Sequence, residues 1–431
     1  MLAERPADYD PVSRLMWSER GARLDLLALR VTRMLDSPLS FLRGSALLMA
    51  EDLARGPSTP LSVQLCGDAH LANFGVFYSP ERRLVFDIND FDETAAGPFE
   101  WDVKRLGASV AVLGDQLGLS RRRRREAVLG LAREYQRSMR RLATLKRLDA
   151  WYLAFDVTSL SRSLRRCFRE EALERAEKLL GDLRPPSDAR AYRRYVRRSE
   201  DGPQLRLRPP HLVPERDLGE DAALVRRTAD LVMGRYPQSL TSERAALLGQ
   251  FRPVDVARQV VGIGSVGREV YVVALTGRDD EDLFLLQLKE ARDSVLDVAR
   301  AQASRDPGER VVQGQRFLQA RPDPFLGWYT MDGAGGRSSF YVRQLYDHRA
   351  SVDLTRLGAR SLGAYARACA WALARAHARA AQAALIDGYL GSGDRFAEAI
   401  ADFSEVYRER NRADYAALAV AAREGRVPVA S

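Results

Sequence analysis

The segment CGDAHLANFGVFYSPERRLVFDINDFDE, residues 66–93, most constrains how this chain can fold. In VFDIN the alternation places apolar residues on one face of a strand and Asp87 and Asn89 on the other. Asp90 and Asp92 follow, so three carboxylates fall within six residues. Acids this close raise one another's pKa unless a cation is present. The segment therefore predicts a β-hairpin beside a cation site.

The loop GDAHLAN, which precedes the hairpin, places Asp68 and Asn73 five residues apart. An acid and an amide on one loop, with a further acid on the next strand, can orient a hydroxyl nucleophile and chelate a metal. The interval of 14 residues from Asn73 to Asp87 leaves room for one hairpin that brings them face to face. We predict Asn73, Asp87 and Asp90 as metal ligands. Oxygen ligands without clustered Cys or His favour Mg²⁺, with Mn²⁺ as the alternative.

Two other interpretations of these acids stay open. Asp68 and Asp102 could cap turns and helices, and the DINDFDE acids could form a solvated loop. A metallophosphatase also uses a GD-x-H loop, but it needs several more histidine ligands. The chain has four histidines, and apart from His70 in the GDAH loop itself none stands in the Asp-x-His or Gly-Asn-His context of those enzymes.

A glycine motif lies much later in the chain, in VVGIGSVG, with Gly262, Gly264 and Gly267 in a GxGxxG pattern. The continuation REVYVVALTG predicts a strand, whereas a dinucleotide-binding fold would continue into a helix. This favours a glycine turn inside a β-hairpin that covers nucleotide phosphates, with Ser265 in the same turn. A P-loop is excluded because GxxxxGK[ST] is absent from the sequence.

Lys289 interrupts the apolar run LFLLQLKEA, one predicted strand after the glycine turn. Burying a lysine costs desolvation free energy unless the lysine meets an anion. In nucleotide sites built on a glycine-containing β-hairpin, a lysine in this position reaches the α- and β-phosphates. A lysine at a strand end that extends to water is the alternative. Either Glu290 or Glu309 could be its acidic partner.

The composition is that of a folded protein, and 431 residues predict two or three lobes. Residues 13–54 read as two amphipathic helices, and the remaining order is β-rich acidic site, helices, β-rich glycine site, helices. No apolar run could cross a bilayer, no secretory signal is evident and the three cysteines are scattered, so we expect a cytoplasmic protein without a membrane partner.

The net charge of +9 permits an anionic partner without requiring one. The run Arg121–Arg125 opens a stretch with apolar residues at helical spacing, which predicts a solvated helix face. Aromatic residues are not interleaved with the basic ones, so a nucleic-acid partner is not expected.

Longer motifs resemble a known group. CGDAHLANFG resembles the catalytic loop of aminoglycoside-phosphotransferase-like kinases, GD-x-H-x-x-N, and LVFDIND resembles their metal-binding strand. With RMLDSPLSFLRGSA, FEWDVKRLGAS, DVARQVVGIGSVG, LQLKEARDSVL and ARAHARA, the chain is similar to the bacterial domain-of-unknown-function family 2252. That group is placed near the protein-kinase-like fold.

The resemblance implies roles for individual residues. Asp68 resembles the catalytic aspartate, Asn73 and Asp87 resemble the metal ligands, and Asp90 is a second candidate for the latter role. Asp102 resembles a buried aspartate that braces the catalytic loop. The three glycines resemble the nucleotide loop, and Lys289 resembles the phosphate lysine. Gln259 and Gln382 stand where the family pattern has a lysine and an acid.

The glycine loop follows the catalytic loop here, opposite to the order in kinases, so we predict a circularly permuted, bilobal, protein-kinase-like α+β fold. Residues 1–245 would form a mainly helical catalytic region, 246–350 a β-rich nucleotide-binding lobe, and 351–431 helices that complete the catalytic lobe. The expected partners are ATP, Mg²⁺ and an unidentified hydroxyl acceptor, with phosphoryl transfer as the reaction. Transfer of AMP, ATP hydrolysis, or nucleotide binding without catalysis by a pseudokinase remain alternatives.

Overall fold

The computed structural model describes most of the chain. The described residues are 2–18, 24–154, 192, 194–200, 202–209, 211–214, 217, 230, 232–260, 268–300, 306–333, 336–345, 349–350, 352–380 and 383–430.

Helices dominate both ends of the chain. In chain order they are α1 Pro11–Ser18, α2 Leu24–Leu35, α3 Pro38–Gly44, α4 Ala46–Arg55, α5 Glu100–Gln116, α6 Arg121–Ala143, α7 Arg147–Tyr152, α8 Ser242–Leu248, α9 Val295–Ala299, α10 Pro307–Leu318, α11 Ala359–Ala380, α12 Ala383–Leu390 and α13 Arg395–Arg423.

Strands occupy two stretches of the chain. They are β1 Ser62–Leu65, β2 Phe74–Tyr78, β3 Leu84–Ile88, β4 Ala95–Pro98, β5 Val196–Ser199, β6 Gly202–Leu205, β7 Leu212–Pro214, β8 Arg252–Gln259, β9 Val270–Thr276, β10 Leu283–Ala291, β11 Gly327–Gly333, β12 Gly336–Gln344 and β13 Arg349–Ala350.

A six-stranded antiparallel sheet has the order β11-β12-β10-β9-β8-β7. Its central strands are buried on both faces, which explains their nearly continuous apolar sequences. On β9, Tyr271 and Val273 join one apolar cluster, while Val272 and Ala274 join another on the opposite face. Successive residues of this strand therefore pack alternately against the two clusters on opposite faces of the sheet.

The predicted acidic hairpin is present. Strands β2 and β3 pair antiparallel, with Gly75 opposite Asp87, and a turn at residues 79–83 connects them. The short β1 and β4 form a separate two-stranded ribbon. Around these strands pack α5, α6, α11 and α13, whose apolar faces form the main core. That core also takes in Leu326 and Tyr341 from the region of the large sheet.

The α+β class is confirmed by this mixture of helices and antiparallel sheet. Residues 13–54 were expected to form two helices with a break around Ser37-Pro38, and that break is present, because Ser37 caps α3 with Pro38 in its first turn. The region nevertheless holds four helices, since α3 ends at Gly44 and α4 starts at Ala46 after Ser45, and α1 is separate from α2. The predicted boundary at residue 246 stays a prediction, although β7 joins the sheet from upstream of it. No described helix is long and apolar enough to span a membrane.

The arginine run at the start of α6 differs from expectation at one position. Arg121, Arg122 and Arg123 are exposed as predicted, whereas Arg124 is buried. Its guanidinium donates to Asp115 at 3.0 Å and to Glu405 at 2.7 Å. It therefore joins α6 to its neighbours and is not part of an open basic surface.

Candidate active site

Asp102 holds the loop that carries Asp68. Its buried carboxylate accepts the backbone N–H groups of Cys66 (2.8 Å) and Gly67 (3.1 Å). His377 on α11 lies between the Tyr135 hydroxyl (2.8 Å) and Asp102 (3.1 Å), so α11 also supports the loop. Buried backbone donors need such partners, and these contacts make Asp102 a brace rather than a reactive acid.

The glycine of the GD motif is required by its conformation. Gly67 has φ +90°, a region that favours glycine, and a Cβ there would lie 1.9 Å from the carbonyl oxygen of Glu93. The loop before Asp68 is therefore pressed against the end of the acidic segment. A larger residue at this position would separate the two.

Asp68 stays ionised because Arg105 and His70 contact its carboxylate; burial lowers the pKa of His70 itself, so Arg105 supplies the positive charge at neutral pH. Burial alone would raise the pKa of its carboxyl group, but His70 and Arg105 outweigh burial and hold the pKa below its usual value. Arg105 Nε donates to Asp68 Oδ1 at 2.8 Å, and His70 Nε2 lies 3.4 Å from Oδ2. The side chain keeps 19% of its surface exposed, so a charged acceptor oxygen is accessible.

Asn73 connects the loop to the acidic segment. Its Nδ2 donates to the backbone carbonyls of Asp68 and Asp90, both at 3.0 Å. Its buried Oδ1 has no hydrogen-bond partner among the described residues. A buried acceptor without a donor costs free energy that a cation would recover.

Asp90 and Asp87, the two acidic candidates for a metal ligand, differ in their surroundings. The Asp90 side chain is 42% exposed; its Oδ1 accepts from Asp92 N at 3.2 Å, and Lys289 Nζ lies 3.6 Å from Oδ2. Asp87 is buried, and its oxygens accept from Arg375 Nη2 (2.6 Å), Ala320 N (3.0 Å) and Ile88 N (2.9 Å). Since its oxygens are engaged, Asp87 is less suited than Asp90 to bind a metal.

Lys289 lies on β10, adjacent to β9, and is buried as predicted. Its partner is Asp92, at 3.1 Å, and neither Glu290 nor Glu309. Glu290 accepts from the backbone of Glu269 and from Arg292 instead. The partner comes from 197 residues earlier in the chain, so local sequence offered no way to find it.

Asp92 is the most heavily paired acid of the segment. It accepts from Lys289, from Arg268 at 3.3 Å and from the Tyr341 hydroxyl. Burial would raise the pKa of this carboxyl group, but Lys289 and Arg268 hold it well below its usual value. Arg310 donates to its backbone carbonyl at 2.8 Å. The early acidic segment and the late sheet therefore meet at one charged contact.

The predicted nucleotide-loop residues lie outside the described part of the chain: Gly262, Gly264, Ser265 and Gly267. The flanks of that loop are described. Strand β8 ends at Gln259, β9 begins at Val270, and the two pair antiparallel, so the motif connects a hairpin as predicted. Arg268, the residue after the motif, also donates to Glu93 at 2.8 Å. Gln382 lies outside the described residues as well.

The basic residues that contact these acidic residues were not predicted. They are Arg105, Arg268, Arg310, Arg375 and His377. The available signal was weak and consisted of basic residues within otherwise small or apolar helix faces. FEWDVKRLGAS and WALARAHARA are examples of such faces.

The protein side chains by themselves supply only some of the ligands that a divalent cation needs. Among the described residues, no group of three or more His, Cys, Asp or Glu side chains could hold a metal ion. Mg²⁺, however, commonly uses one or two protein ligands together with waters and substrate phosphates. The partnerless Oδ1 of Asn73 and the exposed carboxylate of Asp90 match that smaller requirement.

Comparison with known proteins identifies a family and nothing more specific. No curated protein and no solved structure matches the chain. A family model described as "Uncharacterized protein conserved in bacteria (DUF2252)" matches residues 23–421. Because the match covers most of the sequence, this chain belongs to the DUF2252 family.

Proposed function

We propose that this protein is an ATP- and Mg²⁺-dependent phosphotransferase that acts on a hydroxyl acceptor. One observation carries the proposal: Lys289 Nζ lies 3.1 Å from Asp92 and 3.6 Å from Asp90. The Asp90 backbone is joined in turn to the Asp68 loop through Asn73. A lysine, a metal-type acid and an ionised aspartate thus lie close together, the set that phosphoryl transfer uses for positioning and charge neutralisation.

Each residue has a role in this proposal. Asp68 would accept a hydrogen bond from the acceptor hydroxyl and orient it. Asn73 Oδ1 and Asp90 would hold Mg²⁺, which neutralises the charge on the β- and γ-phosphates when it is bound. Lys289 would leave part of its contact with Asp92 to meet the α- and β-phosphates. Asp102 and His377 would keep the Asp68 loop in position without touching substrate.

The permuted kinase-like arrangement is part of the proposal. The glycine motif connects β8 and β9, and Lys289 lies on the adjacent strand β10. A nucleotide site built on a glycine-containing β-hairpin has its phosphate-binding lysine in this position. Helix α11 follows the large sheet in sequence and contacts the Asp68 loop, where Tyr365 donates to the carbonyls of Leu71 and Phe74. These contacts support a sheet lobe that binds nucleotide above a helical lobe that carries the acceptor.

Nucleotide binding without transfer is the competing function. It is favoured by the departures at Gln259 and Gln382, which stand where the family pattern has a lysine and an acid; Gln259 is buried and accepts from Gln287 at 2.6 Å. The two functions differ in chemistry and not in binding. A transferase moves labelled γ-phosphate to an acceptor, whereas a pseudokinase shows only an ATP-dependent rise in melting temperature.

The test uses the full chain with γ-labelled ATP and Mg²⁺, against protein and small-molecule fractions of a bacterial lysate. We expect label in one acceptor fraction, and Asp68→Asn to lower the transfer rate by roughly 10²–10⁴-fold. Asn keeps an acceptor oxygen for the buried Arg105 but not the charge, so the melting temperature should fall, and transfer is compared at a temperature where circular dichroism shows both proteins folded. Arg122→Gln, which removes an 80% exposed arginine on α6, is the matched control. Undiminished transfer by Asp68→Asn would remove Asp68 from the mechanism.

A further inference from the structure

A cavity of about 120 Å³ opens beside Asp68. Its lining combines Asp68 with four arginines, Arg30, Arg43, Arg268 and Arg292, and with two further acids, Glu93 and Asp293. Clefts for drug-sized ligands measure about 300–1,000 Å³, while a water takes about 30 Å³ in the liquid. The cavity is therefore smaller than a cleft for a drug-sized ligand and suits a small molecule.

Arg43, on α3, distinguishes this cavity from the ion-paired clusters around it. Its Nε is buried and has no hydrogen-bond partner, and the described residues give its guanidinium no ion pair. Burial lowers the pKa of Arg43, and the charges of Asp68 and Asp90 oppose that effect. A guanidinium held in this way costs desolvation free energy, which a bound anion would recover.

The other arginines of the lining have partners within the protein. Arg268 donates to Asp92 and Glu93, Arg292 donates to Glu290, and Arg30 donates to the carbonyl of Gly44. Among the described residues, Arg43 is the one arginine of this lining whose side chain has no hydrogen bond or ion pair to the protein, and it shares the cavity with the ionised Asp68. The cavity thus presents a cation for an anionic group and a carboxylate for a hydroxyl.

We propose that this cavity binds the acceptor, and that the acceptor is a small hydroxyl compound bearing a phosphate or carboxylate group. The anionic group pairs with Arg43, because guanidinium binds both groups through paired N–H donors. The hydroxyl donates to Asp68. This inference rests on the proposed function, since it names the substrate class of that site.

In the proposed reaction ATP is the phosphoryl donor. The acceptor oxygen forms a bond to the γ-phosphorus, and the bond from that phosphorus to the β–γ bridging oxygen breaks. ADP carries away the electron pair of that bond, and the hydroxyl proton passes to the Asp68 carboxylate. The products are a phosphate monoester of the acceptor and ADP.

Binding is tested first, without ATP, with three probes that share a hydroxylated three-carbon skeleton: glycerol phosphate, glycerate and glycerol. We expect the two anions, and not glycerol, to bind in calorimetry. Loss of a charge-assisted contact in Arg43→Gln should weaken anion binding by about tenfold or more. Arg122→Gln should bind as the wild type does. Equal binding of glycerol and the anions, or no effect of Arg43→Gln, would overturn the proposal.

Transfer is tested second, so that this inference and the proposed function can fail separately. We expect labelled γ-phosphate in the anionic small-molecule fraction, with KM for the acceptor raised about tenfold in Arg43→Gln and KM for ATP unchanged. Label confined to proteins or neutral compounds overturns the anionic acceptor while phosphotransfer stands. Anion binding that depends on Arg43, without label in any fraction, overturns the phosphotransferase function and leaves an anion site. A raised KM for ATP in Arg43→Gln would assign the arginine to the nucleotide and overturn its role toward the acceptor.

Discussion

Asp87 and Asp90 lie three residues apart, yet the protein uses them differently. The buried oxygens of Asp87 accept from Arg375 and from two backbone N–H groups. The Asp90 side chain is 42% exposed, and its closest cationic atom, Lys289 Nζ, is 3.6 Å away. The comparison teaches that an acid in a metal-type motif is identified by oxygens that remain available. Its place in the motif alone does not distinguish a structural carboxylate from a reactive one.

The largest effect on stability is expected from Asp87→Asn. It leaves the buried Arg375 without its counter-ion, and breaking such a pair costs about 3–5 kcal/mol in free energy of unfolding. Urea unfolding measures this cost, and Arg375→Gln should give a similar loss that is not additive in the double variant. If Asp87→Asn unfolds like the wild type and instead loses the Mg²⁺ dependence of ATP binding, the roles of Asp87 and Asp90 are reversed.

A smaller effect, which depends on pH, is expected from Asp92→Asn. The pKa of Asp92 in the folded protein lies below its unfolded value, so its stabilisation is present above about pH 4 and declines as pH falls. We expect the variant to lose about 2–3 kcal/mol at pH 7, because Asn keeps only the hydrogen-bond part of the contacts. The difference from wild type should shrink toward pH 3.

The measurement is urea unfolding of both proteins at pH 7, 5 and 3. Asp402→Asn serves as the control, because Asp402 pairs with Arg125 at the surface with 68% of its side chain exposed. That variant should stay within about 0.5 kcal/mol of wild type at each pH. A wild-type advantage over Asp92→Asn that is as large at pH 3 as at pH 7 would contradict the role assigned to Asp92.

The smallest effect on stability is expected from Asp90→Asn. Because the side chain is partly exposed and its contact with Lys289 is long, the free energy of unfolding should change by no more than about 1 kcal/mol. The Mg²⁺-dependent part of the ATP-induced rise in melting temperature should nevertheless disappear, since a metal ligand is lost. A full metal response in this variant, measured beside Asp87→Asn, would remove Asp90 from the metal site.

The local sequence pattern was sufficient to predict the strands that carry the site. The alternation in VFDIN predicted β3 correctly, and the glycine motif lies between two antiparallel strands as expected. Lys289 is on the adjacent strand, also as predicted. These successes share a cause: side-chain alternation and turn residues act over a few positions, within the reach of a sequence pattern. The break at Ser37-Pro38 was predicted, whereas the break at Ser45 was missed because RGSALL there contains only one small polar residue between two helical stretches.

The ion pairs could not be predicted in the same way. Asp92 pairs with Lys289, and Asp87 with Arg375, across 197 and 288 residues. The sequence contains many arginines, and nothing in a local pattern tells which of them will be buried beside which acid. The choice between Glu290 and Glu309 for Lys289 was wrong for this reason, because the true partner is remote in sequence and adjacent in space.

The sequence by itself determined the elements and the residue types that they carry: a polar loop with Asp68 and Asn73, an acidic hairpin, and a sheet with a buried lysine. Only the tertiary structure decided which acids are buried braces and which keep an exposed carboxylate. The physical reason is that a carboxylate's role depends on the donors and charges within a few ångströms of it. Here those groups come from segments that meet only after the whole chain has folded.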